Sequence, residues 1–117
     1  MNENHDLDGV FAAFANAHRR EIIVALSLQP HSISQLASKE DLSLPAIHKH
    51  IRVLEDADLV ARKKVGRTNF LALKRAPVRE LQVWLGRFHP YWGSDLETLE
   101  NYVPQMGNQE PENEEEQ

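Results

Sequence analysis

Two helix-start signals, at Ser32 and Ser43, stand close together with only DLSL between the segments they open, and this constrains the chain more than any other feature. Ser32 and Gln35 form the S-x-x-Q pattern of a capping box, in which side chain and backbone satisfy each other's free hydrogen-bonding groups at a helix start. Ile33, Leu36 and Ala37 then give a short helix one apolar face. Ser43 is a second N-cap, and Pro45 is tolerated because the first helical turn needs no intrahelical N–H. Ile47, Ile51 and Leu54 follow at i, i+4 and i+7 and form one buried stripe, with Pro45, His48, Lys49 and Arg52 on the opposite side. A short helix, a tight turn and a second helix with a polar, basic outer face describe a helix-turn-helix.

The flanks supply the rest of the domain. Val10, Phe11 and Phe14, then Ile22, Ile23 and Leu26, predict two helices, with Asn16 as the cap of the second and Pro30 closing it. After Leu59 and Val60, the stretch LVARKKVGRTNFLAL reads as two strands about a Gly66-Arg67 turn, a basic hairpin placed as a wing. Pro77 is expected at the first position of a last helix carrying Val78, Leu81, Leu85 and Phe88 on one face, with Trp84 beside them. Pro90 should kink or break it, and Leu96, Leu99, Tyr102 and Val103 continue the apolar face. The expected fold is mainly α with a small β-hairpin, a winged helix-turn-helix over 1–103, followed by an acidic, disordered tail over 104–117.

Charge is distributed unevenly. The chain is −5 overall, yet Leu44 to Arg75 holds eight basic residues against three acidic ones, and Gly93 onward holds eight acids with no Lys or Arg. The local excess points to a nucleic-acid partner where the average does not. Cysteine is absent, which removes disulfides, thiolate metal sites and cysteine nucleophiles. There is no run of about 18 apolar residues to cross a membrane, and MNENHDLDG lacks the regions of a signal peptide, so a cytoplasmic location is expected. No phosphate loop, nucleophile triad or paired-carboxylate motif is present, so no enzyme activity and no cofactor are expected.

His48 and His50 flank Lys49, but on a helix residues two apart point about 200° apart and cannot chelate one ion. His48 lies on the polar face, where it can hydrogen-bond a phosphate or a base edge. His50 lies nearer the buried stripe and reads as a packed, hydrogen-bonded helix histidine. His5, His18 and His31 fall in unrelated segments.

Taken together, RREI, SLPAIHKHIRVLEDADLV and GRTNFLAL resemble the ArsR-type winged-helix repressors over roughly Leu7 to Tyr102. The family pattern around the second of these is S-x-P-A-V-S-R-H-L-x-V-L-x-x-A-G-L-V. The resemblance implies a dimeric transcriptional repressor whose first and last helices build the interface and which leaves its operator on a metal or other signal. Three departures bear on that: Leu44 replaces a frequent Gln, His48 a frequent Ser, and Asp58 the Gly of AGLV. The first two lie near the base-reading surface, so the operator sequence does not carry over. The third-helix cysteine metal motif is also absent, since SQLASKE has no thiol.

The expected DNA-binding residues are Ser43, Leu44, Pro45, His48, Lys49 and Arg52 on the reading helix, with Arg62, Lys63, Lys64, Arg67 and Thr68 on the wing. Lys49 and Arg52 also have a reading as solvated helix charges, and the wing cations as residues that keep an edge strand soluble. The expected dimer interface is Val10, Phe11, Phe14, Leu81, Trp84, Leu85, Phe88, Trp92, Leu96 and Leu99. Expected partners are double-stranded DNA, a second copy, and a small-molecule or protein effector of unspecified identity, with no membrane and no bound metal. Two alternatives are a winged-helix protein-interaction module without DNA binding, and a metal-responsive repressor using histidine and carboxylate ligands such as His89, Asp95 and Glu100.

Overall fold

The computed structural model describes residues 6–88, which form five α-helices and a three-stranded antiparallel sheet. In chain order these are α1 (Leu7–Phe14), α2 (Ala17–Leu28), β1 (His31–Ser32), α3 (Ile33–Glu40), α4 (Leu44–Asp56), β2 (Val60–Val65), β3 (Thr68–Leu73) and α5 (Arg75–Leu85). The chain separates into two compact units, one up to Trp84 and one from Leu85. The expected 103/104 boundary lies outside the described residues, as do Pro90, Tyr91, Trp92, Leu96, Leu99, Tyr102 and Val103.

Local chemistry places the helix starts. Asn16 Oδ1 accepts from the Arg19 amide, and the reciprocal capping box at Ser32 and Gln35 is complete. Ser43 Oγ accepts from the Ala46 amide. The C-termini of α3 and α4 share a second device. Asp41 and Asp58 both take left-handed backbone angles, φ 56° and φ 61°. Beyond them, Leu42 N–H donates to Ala37 O and Leu59 N–H to Leu54 O, the six-to-one bond of a Schellman motif. At α4 the apolar contact that accompanies this motif is between Leu54 and Leu59, both fully buried. Asp58 thus occupies a position that favours glycine, which Asp tolerates better than most side chains.

The core gathers Ile22, Leu36, Ile47, Ile51, Leu54, Leu59 and Leu71 between α2, α3, α4 and the inner sheet face. The stripe expected on α4 is wholly buried. Strand order is β1-β3-β2, with Arg62 opposite Leu71, Lys63 opposite Phe70 and Lys64 opposite Asn69. Gly66 has φ 63° and Arg67 does not, which is the II′ pattern that matches the twist of paired strands.

Three expectations are corrected. β1, whose His31 and Ser32 pair with Leu71 and Phe70, turns the hairpin into a three-stranded sheet; two residues are too few to show an alternation. Helix α5 begins at Arg75, so Pro77 is its third residue rather than its first. The ring is accommodated there because none of the first-turn amides has an intrahelical acceptor. Finally, α5 ends at Leu85, before the poorly helix-forming Gly86, so Phe88 sits in the following turn with its N–H on Leu85 O.

Candidate nucleic-acid interface

The polar side of α4 faces outward. Ser43, Pro45, His48, Lys49 and Arg52 are exposed, and Leu44 is 51 % exposed, unusual for a leucine beside so regular a buried stripe. The buried Ile47, Ile51 and Leu54 hold this face rigidly, because rotation about the helix axis would bring them into water.

The wing meets α4 at its base and near its tip. At the base, Arg62 donates from Nε to Glu55 Oε2 at 2.9 Å and from Nη2 to Glu55 Oε1 at 3.2 Å. Lys74 pairs with Asp58, and the Lys74 amide donates to Leu59 O at 2.8 Å. Near the tip, Arg67, Thr68 and Asn69 share a concavity of about 210 Å³ with Leu44 and His48 of α4 and with Ser32, Ile33 and Ser34 at the start of α3. Side chains of α4, α3, β1 and the wing therefore converge there, with several hydrogen-bonding groups beside the apolar Leu44 and Ile33. This arrangement suits a polyanionic backbone better than an apolar ligand.

Strand alternation divides the wing cations. Arg62 and Lys64 lie on the sheet face that carries the buried Val60 and Leu71 and that packs against the helices. Lys63 lies on the other face, opposite Phe70, where Pro30, Ala61, Val65 and Ala72 line an apolar groove. Arg67 and Thr68 are exposed at the turn. Sequence reading singled out neither Ser34 nor Asn69. Asn69 was within reach of the alternation argument, being opposite Lys64 across the turn, whereas Ser34 required the packing of α3 against the wing.

His50 lies away from this outer face. Arg19 Nη1 donates to its Nδ1 at 3.2 Å, and its ring centroid is 5.6 Å from that of His18. His18 Nδ1 in turn donates to Glu40 Oε1 at 2.7 Å. The expected packed, hydrogen-bonded histidine is found, but the expectation that His18 belongs to an unrelated segment is overturned: the packing of α2 on α3 and α4 brings it into the same cluster.

Of the residues expected at a dimer interface, Val10 and Leu81 are already buried within one copy, and Phe14 packs partly against the core. Phe11, 40 % exposed, meets Trp84 edge-on with ring centroids 5.5 Å apart. Leu85 and Phe88 are exposed, and Trp92, Leu96 and Leu99 lie outside the described residues. The same holds for His89, Asp95 and Glu100, named for a metal-responsive alternative. Among the described residues no group of three His, Asp or Glu side chains is placed to hold a metal ion. No helix of the described residues is long and apolar enough to cross a membrane.

Comparison with known proteins adds the following. Residues 14–63 match a family model described as a helix-turn-helix domain. The chain is 36% identical over 85 residues to YuzN of Bacillus subtilis, named as an HTH-type transcriptional regulator, covering 67% of this chain and 92% of that protein. It is 31% identical over 88 residues to an HTH-type transcriptional regulator of Mycobacterium tuberculosis, covering 75% of this chain and 82% of that one. Among solved structures, an ArsR-like transcriptional regulator from Rhodococcus superposes with a TM-score of 0.67 at 31% identity, covering 86% of this chain and 92% of that one.

Proposed function

The chain belongs to the ArsR-type helix-turn-helix transcriptional regulators, and on that premise we propose that it is a homodimeric repressor that binds a pseudo-palindromic operator. DNA binding and transcriptional regulation come with the family, and enzyme activity does not. The dimer, the operator and the contacting residues are the proposal, as is action in the cytoplasm.

One observation carries the assignment of contacts. Leu44 and His48 of α4 and Arg67, Thr68 and Asn69 of the wing line one concavity, beside a helix that the core prevents from turning. In the proposed complex α4 lies in the major groove. Arg52 and His48 reach toward base edges, Arg52 having the fork geometry that grips guanine at two points. Ser43, Pro45 and Leu44 seat the helix start against the backbone, and Lys49 and Lys64 neutralise phosphates. Arg67 and Thr68 at the turn approach the backbone or minor groove, and Lys63 adds charge from the outer sheet face. Arg62 contributes through the position it gives the wing, since Glu55 already holds its guanidinium.

Phe11, Phe14 and Trp84 of the first unit supply apolar surface for a second copy, with Val10 and Leu81 buried beneath, and Leu85 and Phe88 of the second unit supply more. Two α4 helices related by a two-fold axis would read half-sites about one helical turn, or a multiple of it, apart. The test is selection of bound duplexes from random fragments, followed by footprinting and by sedimentation of free and bound protein. A two-fold symmetric site protected by two copies is the expected result. Selection of no duplex at low salt, or binding by a single copy, overturns the proposal.

A further inference from the structure

His50 sits on the inner flank of the reading helix, and what faces it is unusual for a histidine. The Arg19 guanidinium is fixed by its own bonds to α1: Nε donates to Ala13 O at 2.8 Å and Nη2 to Ala12 O at 3.1 Å. Its remaining nitrogen, Nη1, donates to His50 Nδ1. Arginine has donors only, so this contact requires Nδ1 to present its lone pair, and His50 is neutral with its proton on Nε2 while the contact exists. Arg19 therefore joins the last carbonyls of α1 to α4 through one imidazole lone pair.

The surrounding titratable groups make protonation of that ring consequential. From α2 come Arg19 and His18, and from α3 comes Glu40, whose side chain is only 6 % exposed and is occupied by His18. Asp8, the acidic residue of α1, is not among the groups that act on His50. Burial first, then Arg19 and then His18, hold His50 below the ordinary histidine value of 6.5, against the opposing pull of Glu40. A proton arriving at Nδ1 turns the acceptor into a donor that faces another donor, and places a cation against a fixed cation. His18 differs, because its nitrogen facing Glu40 meets a carboxylate, which accepts from a neutral or a charged ring alike.

We propose that His50 is a positioning residue for the reading helix, and that its protonation releases α4 from Arg19 and lowers operator affinity as the medium becomes acidic. This rests on the DNA-binding reading of α4 but concerns a residue on its inner side.

The experiment measures duplex affinity of the full chain at constant ionic strength from pH 7.5 to 5.5, on a duplex obtained by selection at pH 7.5. The variants are His50→Gln, whose amide oxygen still accepts from Arg19 but does not titrate, and His48→Gln. The quantity compared is the ratio of affinities at the two pH values, which is insensitive to any change in basal binding. Loss of one proton-linked contact per copy is read as up to about tenfold per pH unit below the folded pKa. In the His48→Gln background affinity should fall as the pH drops, and adding His50→Gln should bring the ratio close to one. Circular dichroism confirms that each variant is folded. Should Gln perturb α4, Arg19→Gln serves instead: with no guanidinium for the ring to hold or release, the acid-dependent fall in affinity should disappear. Equal ratios with and without His50 overturn the proposal while leaving DNA binding intact. A chain that captures no duplex at pH 7.5 overturns both.

Discussion

Glu55 of α4 and Arg62 of β2 form a two-point ion pair, with both carboxylate oxygens engaged by one guanidinium. The pair joins the C-terminal part of the reading helix to the base of the wing. Both side chains are about one-third exposed, so its contribution to stability is small, on the order of 0.2–1 kcal/mol. Its larger effect is geometric, because it sets the wing against α4 and engages the Arg62 guanidinium within the protein. Replacing Glu55 with Gln should cost no more than about 1 kcal/mol in denaturant unfolding. It should raise affinity for unrelated duplexes and steepen the salt dependence, because Arg62 is released and a carboxylate removed. An unchanged salt slope in Glu55→Gln would show that Arg62 has no access to DNA even when released.

Lys49 and Arg52 should separate by the kind of defect they cause. Lys49→Gln should weaken binding to all duplexes alike and reduce the slope of log affinity against log salt by about one. Arg52→Gln should instead relax preference at one position of each half-site, costing about 1–3 kcal/mol on the selected duplex and little on others. Competition binding against single-base variants distinguishes the two, and identical behaviour would refute the assignment of contacts on α4.

Asp58 tests the backbone rather than the interface. With φ 61° it holds a left-handed turn between α4 and β2 and pairs with Lys74. Asp58→Gly removes the conformational cost but loses the exposed pair, so its thermal midpoint should stay near that of the parent chain. Asp58→Val keeps no pair and places a branched side chain in a disfavoured region, and should destabilise by roughly 1–3 kcal/mol. If valine were tolerated as well as glycine, the left-handed turn would not be a determinant of the wing's position.

Truncating the stripe that backs α4 should remove function through folding. Ile51→Ala deletes fully buried methyl groups at the centre of the core, at a cost of about 2–5 kcal/mol. That is a large share of the roughly 5–15 kcal/mol that hold a small domain together. Urea unfolding measures the loss, and duplex affinity should fall with the folded fraction.

Stability should also follow the state of His50. Because its folded pKa lies below the ordinary 6.5, the folded chain resists taking the proton that the unfolded chain accepts. That contribution is complete above pH 6.5 and is lost as pH falls through the lower folded value. Between pH 7.5 and 5, the unfolding midpoint of the parent chain should therefore fall more than that of His50→Gln. Parallel curves would show that the Arg19 contact does not bias the ring.

What the sequence by itself determined is local. The capping box at Ser32, the N-caps at Asn16 and Ser43, the stripe of Ile47, Ile51 and Leu54, and the Gly66-Arg67 turn all arise within a few residues of chain, where periodicity and short-range hydrogen bonds act. They suffice for a helix-turn-helix with a wing and for the outward placement of His48, Lys49 and Arg52. Tertiary structure alone decided which charges have partners and which faces they share. Glu55 takes Arg62, and a two-residue strand pairs with β3 to extend the hairpin. His18 and His50, far apart in sequence, become ring neighbours only when α2 and α4 pack. Such pairings depend on the relative rotation of whole elements, and that rotation is chosen by the shared core rather than by any segment alone.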